Sequence, residues 1–226
     1  MPLDLPASPS LSRDDLIVTD ANRAAATLIE RWPDWSAPVA IIVGPPGSGK
    51  THLATVWRAL ADAHALADPQ GPSVDDLEAA QAARPILADG VTPDGLDETA
   101  LFHLINAVRG AGTTMLATAA SNPSGWPLAT ADLRSRLRAA MTADLGQPDD
   151  ALLQAVAVKL FADRQVSVDP SVIAYLLPRL ERSLPALAAV VDRLDRAALA
   201  RKTSITRPLA AEILRAIDTE RDGLML

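Results

Sequence analysis

A phosphate-binding motif at residues 44–51 leaves few folds open to this chain. The segment reads GPPGSGKT and fits the pattern G-x-x-x-x-G-K-[S/T], and the apolar run VAIIV at 39–43 directly precedes it. Glycines here let successive backbone N–H groups turn towards phosphate oxygens, and a following helix adds its positive N-terminal dipole. Chance would produce this pattern in roughly one chain in a hundred of this length. The sequence therefore predicts a phosphate loop between a buried strand and a helix.

The motif and one acid further along the chain predict a site for a nucleotide and Mg²⁺. The predicted nucleotide-binding residues of the motif are Gly44, Pro45, Pro46, Gly47, Ser48, Gly49, Lys50 and Thr51. We expect Lys50 to reach the β- and γ-phosphates, and the Thr51 hydroxyl to ligate Mg²⁺. Asp89 follows the candidate strand 86–88 and is expected to hold Mg²⁺ through water. The alternative for Asp89 is a plain aspartate at the start of a loop.

Composition excludes several classes of protein. With 226 residues, 49% hydrophobic and 22% charged, the chain has the composition of a globular protein. A net charge of −7 argues against a protein whose main function is to bind the phosphate backbone of a nucleic acid. Because the chain has no cysteine, disulfides, thiolate metal sites and cysteine nucleophiles are excluded. We see neither a signal peptide nor an apolar run long enough to cross a bilayer, so we expect a cytoplasmic location and no membrane partner.

The order of the predicted elements divides the chain into two parts. Strands are predicted at 39–43, 86–88, 113–119 and 141–145. One helix is predicted before them at 20–31, and helices between them at 50–64, 73–83, 97–108 and 134–140. Only helices follow, at 149–163, 169–180, 184–201 and 207–218. Asp20, Ser73 and Asp97 are predicted helix caps. We therefore predict a flexible arm at 1–12, an α/β nucleotide-binding domain at 13–147 and an all-helical domain at 148–226.

Three arginines alternate with other residues in the segment DLRSRLR at 132–138. They are Arg134, Arg136 and Arg138, and two interpretations are open. The segment could be a solvated, charged turn. Alternatively, the guanidinium groups could face phosphate at the edge of a subunit, where their planar forks bind phosphate oxygens well.

The chain resembles the AAA+ module of the DnaA/Hda family of bacterial replication proteins. Six segments carry the resemblance, namely 31–35 (RWPDW), 44–54, 97–106 (DETALFHLIN), 132–137 (DLRSRL), 159–165 (KLFADRQ) and 206–210 (TRPLA). The phosphate loop alone is generic, but the six in this order are specific. The resemblance implies an α/β AAA+ fold, with a parallel sheet, flanking helices and a small helical lid. It also implies that the nucleotide lies between the sheet domain and the lid.

The resemblance also implies roles for single residues. It adds His52 to the nucleotide-binding residues and places Val18 and Asn22 near the adenine. It identifies Arg136 as an arginine finger that acts in trans. The implied cofactors are ADP or ATP with Mg²⁺, and the implied partner is DnaA. The expected function is that of a regulator that stimulates ATP hydrolysis by DnaA.

The sequence departs from the family at three places that matter for hydrolysis. The lid arginine of the family falls on Pro185 or Ala186. The polar sensor falls near 119–120, with only Thr118 and Ser121 close by, and Asp89 stands where paired acids are usual. Because such groups supply most of the catalysis of phosphoryl transfer, we expect weak or absent hydrolysis by the chain alone. A self-contained ATPase, and a protein-binding module without nucleotide, are the alternatives.

The first residues retain part of a clamp-binding peptide that Hda relatives carry, of the form Q-L-x-L-x-L. Only Pro2-Leu3-Asp4-Leu5 remains, without the glutamine. The resemblance implies the DNA polymerase III sliding clamp as a second partner, bound weakly or through a longer N-terminus. An arm with incidental leucines is the alternative. Because the chain is acidic and stops at Leu226, directly after the lid, we expect no sequence-specific DNA binding.

Overall fold

The structure, a computed structural model, describes residues 16–223, with side chains described as far as Glu220. The arm predicted at residues 1–12 lies outside this range. The chain divides into two compact units, of which the first ends at Gln147 and the second begins at Pro148. Every helix in the described range is too short or too polar to span a lipid bilayer.

A parallel sheet forms the centre of the first unit. Its strands are β1 (Val39–Val43), β2 (His64–Ala65), β3 (Ile86–Val91), β4 (Met115–Ala119) and β5 (Met141–Asp144), in the order β2-β3-β4-β1-β5. β1 lies between β4 and β5 and pairs with both of them. All five of its residues are buried, as the continuous apolar run predicts for a strand covered on both faces.

Helices cover both faces of this sheet. They are α1 (Arg23–Glu30), α2 (Lys50–Ala61), α3 (Val74–Gln81), α4 (Glu98–Gly110) and α5 (Ala131–Arg138), with a short 3₁₀ turn at Pro123–Gly125. Alternate residues of β1 face opposite sides of the sheet. Ile42 packs with Leu53 and Trp57 of α2, whereas Ile41 packs in the core that contains Leu133 of α5. The predicted parallel sheet with flanking helices is confirmed.

The predicted end of α2 and the predicted cap of α1 are wrong. The helix predicted to reach His64 ends at Ala61, because Asp62 adopts a left-handed conformation with φ 47°. His64 then starts β2, which pairs with β3. Asp20 does not cap α1, because Asn22 is the N-cap residue and the helix begins one residue later. Asp20 instead pairs with Arg23 at 2.8 Å on the surface.

The short strand β2 is held to α3 by a buried carboxylate. Ser73 caps α3 as predicted, and the Asp76 carboxylate accepts a hydrogen bond from the Ser73 backbone N–H in a capping box. The Asp76 Oδ1 atom also lies 2.6 Å from Nε2 of His64. Burial opposes ionisation of Asp76, but the hydrogen bonds from Ser73 and His64 outweigh it and lower the pKa of this carboxyl. Asp76 therefore stays charged and joins the sheet edge to α3.

The second unit is all-helical, as predicted. Its helices are α6 (Asp150–Asp163), α7 (Pro170–Leu176), α8 (Leu184–Arg201) and α9 (Arg207–Gly223), with a 3₁₀ turn at Leu177–Arg179. Pro170 and Pro185 lie in first turns, where a helix needs no N–H from them. Phe161, Val191 and Leu209 contribute to an apolar core that all four helices share.

Candidate functional site

The phosphate loop connects β1 to α2 and has the backbone that its glycines predict. Gly47 and Gly49 have φ angles of 74° and 103°, in the left-handed region that favours glycine. Gly49 is also the N-cap residue of α2, so that the helix begins at Lys50. The N-terminal N–H groups of α2 therefore lie at the end of the loop, where they can donate to an anion.

Gly44 fixes the start of the loop against the neighbouring strands. Its N–H donates to the Ala119 carbonyl at the end of β4 at 3.1 Å. On the other side, a Cβ atom added to Gly44 would lie 2.4 Å from the Leu145 carbonyl oxygen, which follows β5. The Leu145 N–H donates to the Val43 carbonyl at 2.7 Å, so the backbone at Leu145 is fixed against β1. Only a residue without a side chain fits here.

Lys50 folds over the loop rather than pointing into solvent. Its Nζ atom donates to the Gly44 carbonyl at 2.7 Å and to the Pro45 carbonyl at 2.8 Å. Burial lowers the pKa of the Lys50 ammonium, and the negative charge of Asp89 partly offsets that shift. A phosphate group at the loop would offer this cation stronger acceptors than two neutral carbonyls.

Asp89 lies within β3 rather than after it, because the strand runs past the predicted 86–88 to Val91, with an irregularity in its pairing with β4 between Ala88 and Val91. The Thr118 hydroxyl of β4 donates to Asp89 Oδ1 at 2.5 Å. The same hydroxyl accepts the Gly90 N–H at 2.8 Å, and Gly90 has a φ of 86°. Asp89 is therefore an oriented carboxylate near Lys50. The sequence signal for Thr118 was one polar residue in the otherwise apolar strand MLATA.

The other loop residues differ in exposure. Pro46 and Thr51 are exposed, whereas Pro45 and His52 are half-buried. Ser48 is 2% exposed, and its hydroxyl has no hydrogen-bond partner in the described part of the chain. A buried hydroxyl that lacks a partner is costly unless a bound group satisfies it. Between residues 16 and 220, no cluster of three or more His, Asp or Glu side chains forms a ready-made metal site.

The segment expected near the adenine lies beside β5. The Gly146 N–H, just after this strand, donates to the Ala21 carbonyl at 3.0 Å. Asn22 is buried, and its carboxamide accepts from the Thr19 N–H and donates to the Ile17 carbonyl, both at 2.8 Å. The oxygen and the nitrogen of the Asn22 carboxamide therefore both hold the backbone of residues 17–19 in place. Val18 is 40% exposed and available for contact.

Arg136 lies on α5, on the face of the sheet opposite α2. It is half-buried, between the buried Leu133 and Leu137 and the exposed Arg138. Arg134 donates to the Leu128 carbonyl, and Arg138 is exposed. On a helix, residues two apart point to different sides, so the three arginines do not form one row. Helix geometry therefore argues against one phosphate-facing row of all three arginines, and the role that the resemblance implies for Arg136 stays a prediction.

The positions expected to carry the lid arginine are the apolar start of α8. Pro185 and Ala186 lie in its first turn, behind the N-cap residue Ser183. Arg182 is the nearest arginine in sequence on that side, and it pairs with Asp150 within the same unit. Neither Pro185 nor Ala186 can form a charge-assisted bond to phosphate.

Comparison with known proteins agrees with the fold. Residues 150–214 match the family model described as the lid domain of Hda. Domain III of the replication initiation protein DnaA from Thermotoga maritima is similar over 94% of this chain and 98% of its own, with a TM-score of 0.76 at 18% identity. AMPPCP-bound DnaA from Aquifex aeolicus is similar over 98% of this chain and 73% of its own, with a TM-score of 0.71 at 17% identity.

The likeness extends to a second kind of protein, RuvB. RuvB from Thermotoga maritima is similar over 92% of this chain and 72% of its own, with a TM-score of 0.71 at 15% identity. At such identities these likenesses establish the AAA+ fold, which confirms the fold expected from the sequence.

Proposed function

We propose that this chain, an AAA+ protein of the Hda/DnaA type, binds an adenine nucleotide and stimulates ATP hydrolysis by the initiator DnaA. The observation that carries the proposal is the match of residues 150–214 to the Hda lid domain, on a chain whose first unit has a formed phosphate loop. In this function the chain is a negative regulator of replication initiation, since it would convert the ATP form of the initiator to the ADP form.

Nucleotide binding is supported by the chemistry of the loop. The left-handed glycines, the ammonium of Lys50 and the unpartnered hydroxyl of Ser48 all fit the phosphates of ADP or ATP. Two of the most similar structures are described as AMPPCP-bound DnaA. Mg²⁺, which would neutralise phosphate charge, would be held by Thr51 and, through water, by Asp89. His52, Val18 and Asn22 complete the proposed nucleotide site.

The nucleotide proposal makes a quantitative prediction for Lys50. Lys50→Ala should weaken ADP binding about ten- to a hundredfold, because a charge-assisted hydrogen bond contributes about 1.5–3 kcal/mol. Calorimetric titration of the purified chain with ADP measures this. Arg58→Ala, at an exposed position in the last turn of the same helix, is the matched control and should leave the affinity unchanged.

A lack of ADP binding by the unaltered chain would reject the nucleotide site. It would favour the alternative of an AAA+ module that holds a protein partner without nucleotide. Equal ADP affinities for Lys50→Ala and the unaltered chain would show that Lys50 does not contribute to nucleotide binding.

Stimulation in trans is tested by adding the chain to DnaA that carries labelled ATP, in the presence of DNA-loaded sliding clamp. We expect faster conversion to ADP than with DnaA alone. The proposed donor is Arg136 of α5, the helix that packs on the face of the sheet opposite α2. If the chain does not change the rate at any concentration, the proposed function is wrong.

A second candidate is a self-contained ATPase, and one contact favours it. The Thr118 hydroxyl donates to Asp89 and so places a polar group near the position where the family has its polar sensor residue. Against it, Pro185 and Ala186 offer no charge to stabilise the transition state. The same hydrolysis assay without DnaA decides between the two, and we expect almost no phosphate release.

The sliding clamp is proposed as a second partner through residues that lie outside the described range. Leu3 and Leu5 would each contribute about 1–2 kcal/mol by burial in an apolar pocket. Adding Gln-Leu before Pro2 should tighten binding roughly fivefold or more, because the amide restores about 1 kcal/mol of hydrogen bonding. Titration of immobilised clamp with both forms tests this. Equal affinities that survive deletion of residues 1–8 would exclude the arm as the contact.

A further inference from the structure

The start of the helix that carries Arg136 is held by a carboxylate from a neighbouring helix. Glu98 lies at the first position of α4. Its Oε1 accepts the Ala129 N–H at 2.9 Å, and its Oε2 accepts the Thr130 N–H at 2.7 Å. These are the two residues that directly precede α5. The carboxylate therefore binds both adjacent backbone donors at once.

Helix α5 has no comparable cap of its own. Thr130 is its N-cap residue, but its side chain makes no capping hydrogen bond. The helix has eight residues, too few to be stable without tertiary contacts. Leu133 and Leu137 are buried and set the rotation of the helix about its axis. Apolar contacts of this kind do not fix the residue at which the helix begins. The hydrogen bonds that Ala129 and Thr130 donate to Glu98 fix that residue.

Electrostatics keep Glu98 in the form that this contact needs. Hydrogen bonds from the Thr130 hydroxyl and from the Ala129 and Thr130 N–H groups lower the pKa of Glu98, and the positive charge of Arg134 adds to the effect. Arg134 also donates to the Leu128 carbonyl, one residue before the pair that Glu98 holds. The turn 128–130 is therefore hydrogen-bonded by Glu98 of α4 and by Arg134 of α5.

We propose that Glu98 is a positioning residue for Arg136, in that its double hydrogen bond to Ala129 and Thr130 fixes the start of α5 and so the place where the arginine is presented to the partner's nucleotide. This inference rests on the proposed function, because it assigns a support to the arginine that acts in trans. A shift of about 1 Å in a group that contacts a transition state can lower a rate by up to a hundredfold.

The test is Glu98→Ala in the DnaA hydrolysis assay, measured over a range of chain concentrations. We expect the maximal stimulated rate to fall about tenfold or more, while the half-saturating concentration and the ADP affinity stay unchanged. A merely structural defect would lower the effective concentration or the ADP affinity as well. Glu98→Gln keeps one acceptor oxygen and should give an intermediate maximal rate.

A rescue variant separates positioning from general destabilisation. Thr130→Asp places a strong capping side chain at the N-cap position of α5, and in the Glu98→Ala background it should restore at least half of the lost rate. Asp97→Ala is the matched control. It removes the cap of α4 itself, one residue from Glu98, and should leave the maximal rate within twofold of the unaltered chain.

The outcomes distinguish this inference from the function on which it rests. If the unaltered chain stimulates DnaA and Glu98→Ala does so equally, the positioning role is wrong and the function stands. Equal losses in Glu98→Ala and Asp97→Ala would also reject the role, since they would report the stability of α4. If the unaltered chain does not stimulate DnaA, the function fails and the role fails with it.

Discussion

Arg136→Ala should lower the stimulated rate of ATP hydrolysis by DnaA about a thousandfold. An arginine supplied in trans stabilises the charge that develops on the transferred phosphoryl group, and its loss costs a factor of this order or more. The fold should tolerate the change, because Arg136 is only half-buried and α5 contributes Leu133 and Leu137, not Arg136, to the apolar core. The melting temperature and the ADP affinity should therefore remain those of the unaltered chain.

Two variants on the same helix sharpen this experiment. Arg138→Ala removes an exposed guanidinium two residues away and should leave stimulation unchanged. Arg136→Lys keeps the charge but loses the planar fork that binds two phosphate oxygens together, so it should recover only a minor part of the rate. Stimulation by Arg136→Ala at the rate of the unaltered chain would contradict the role. Equal losses in Arg136→Ala and Arg138→Ala would indicate a general effect of positive charge.

The central sheet could be predicted because its strands carry their own signal. Val39–Val43 is a continuous apolar run between Pro38 and Gly44, and it forms a strand with those bounds. His64–Ala65 has no such signal, since two residues show no periodicity. They form a strand because Ile86 and Leu87 offer them partners and Asp76 holds His64. Tertiary contacts of this kind are invisible in a local pattern.

The same distinction separates the predicted and the missed parts of the site. The loop at 44–51 is a contiguous motif, so its backbone and the place of Lys50 follow from the sequence. The contact between Thr118 and Asp89 joins residues 29 apart and depends on the irregular register of β3 and β4. The contact between Glu98 and Thr130 joins residues 32 apart. Neither could be read from spacing along the chain.

Gly44→Ala should damage both the fold and the proposed nucleotide site. The added Cβ would lie 2.4 Å from the Leu145 carbonyl oxygen and 3.0 Å from the Ser48 hydroxyl. The carbonyl belongs to backbone that is bonded to β1, so it cannot turn away as a flexible side chain could. We expect a loss of about 1–3 kcal/mol in the free energy of unfolding, typical of overpacking in a tight site. Denaturant titration measures this loss.

The effect on ADP binding should be larger than that of Lys50→Ala. Relief of the clash requires the start of the loop to move, and the N–H groups that follow it would move with it. If two charge-assisted hydrogen bonds are lost, the affinity falls by about a hundredfold or more. Gly125→Ala is the matched control, because a Cβ there has no atom within 4 Å. Its stability should stay within about 0.5 kcal/mol of the unaltered chain.

Together, the two loop variants separate the backbone of the loop from its charge. Lys50→Ala should weaken ADP binding with little change in stability, because it removes a side chain and leaves the backbone between β4 and β5 in place. Gly44→Ala should lower both, because the clash lies where the loop joins the sheet. If Gly44→Ala lowers stability but leaves ADP affinity intact, the nucleotide does not depend on the geometry of this loop, and the site must lie elsewhere.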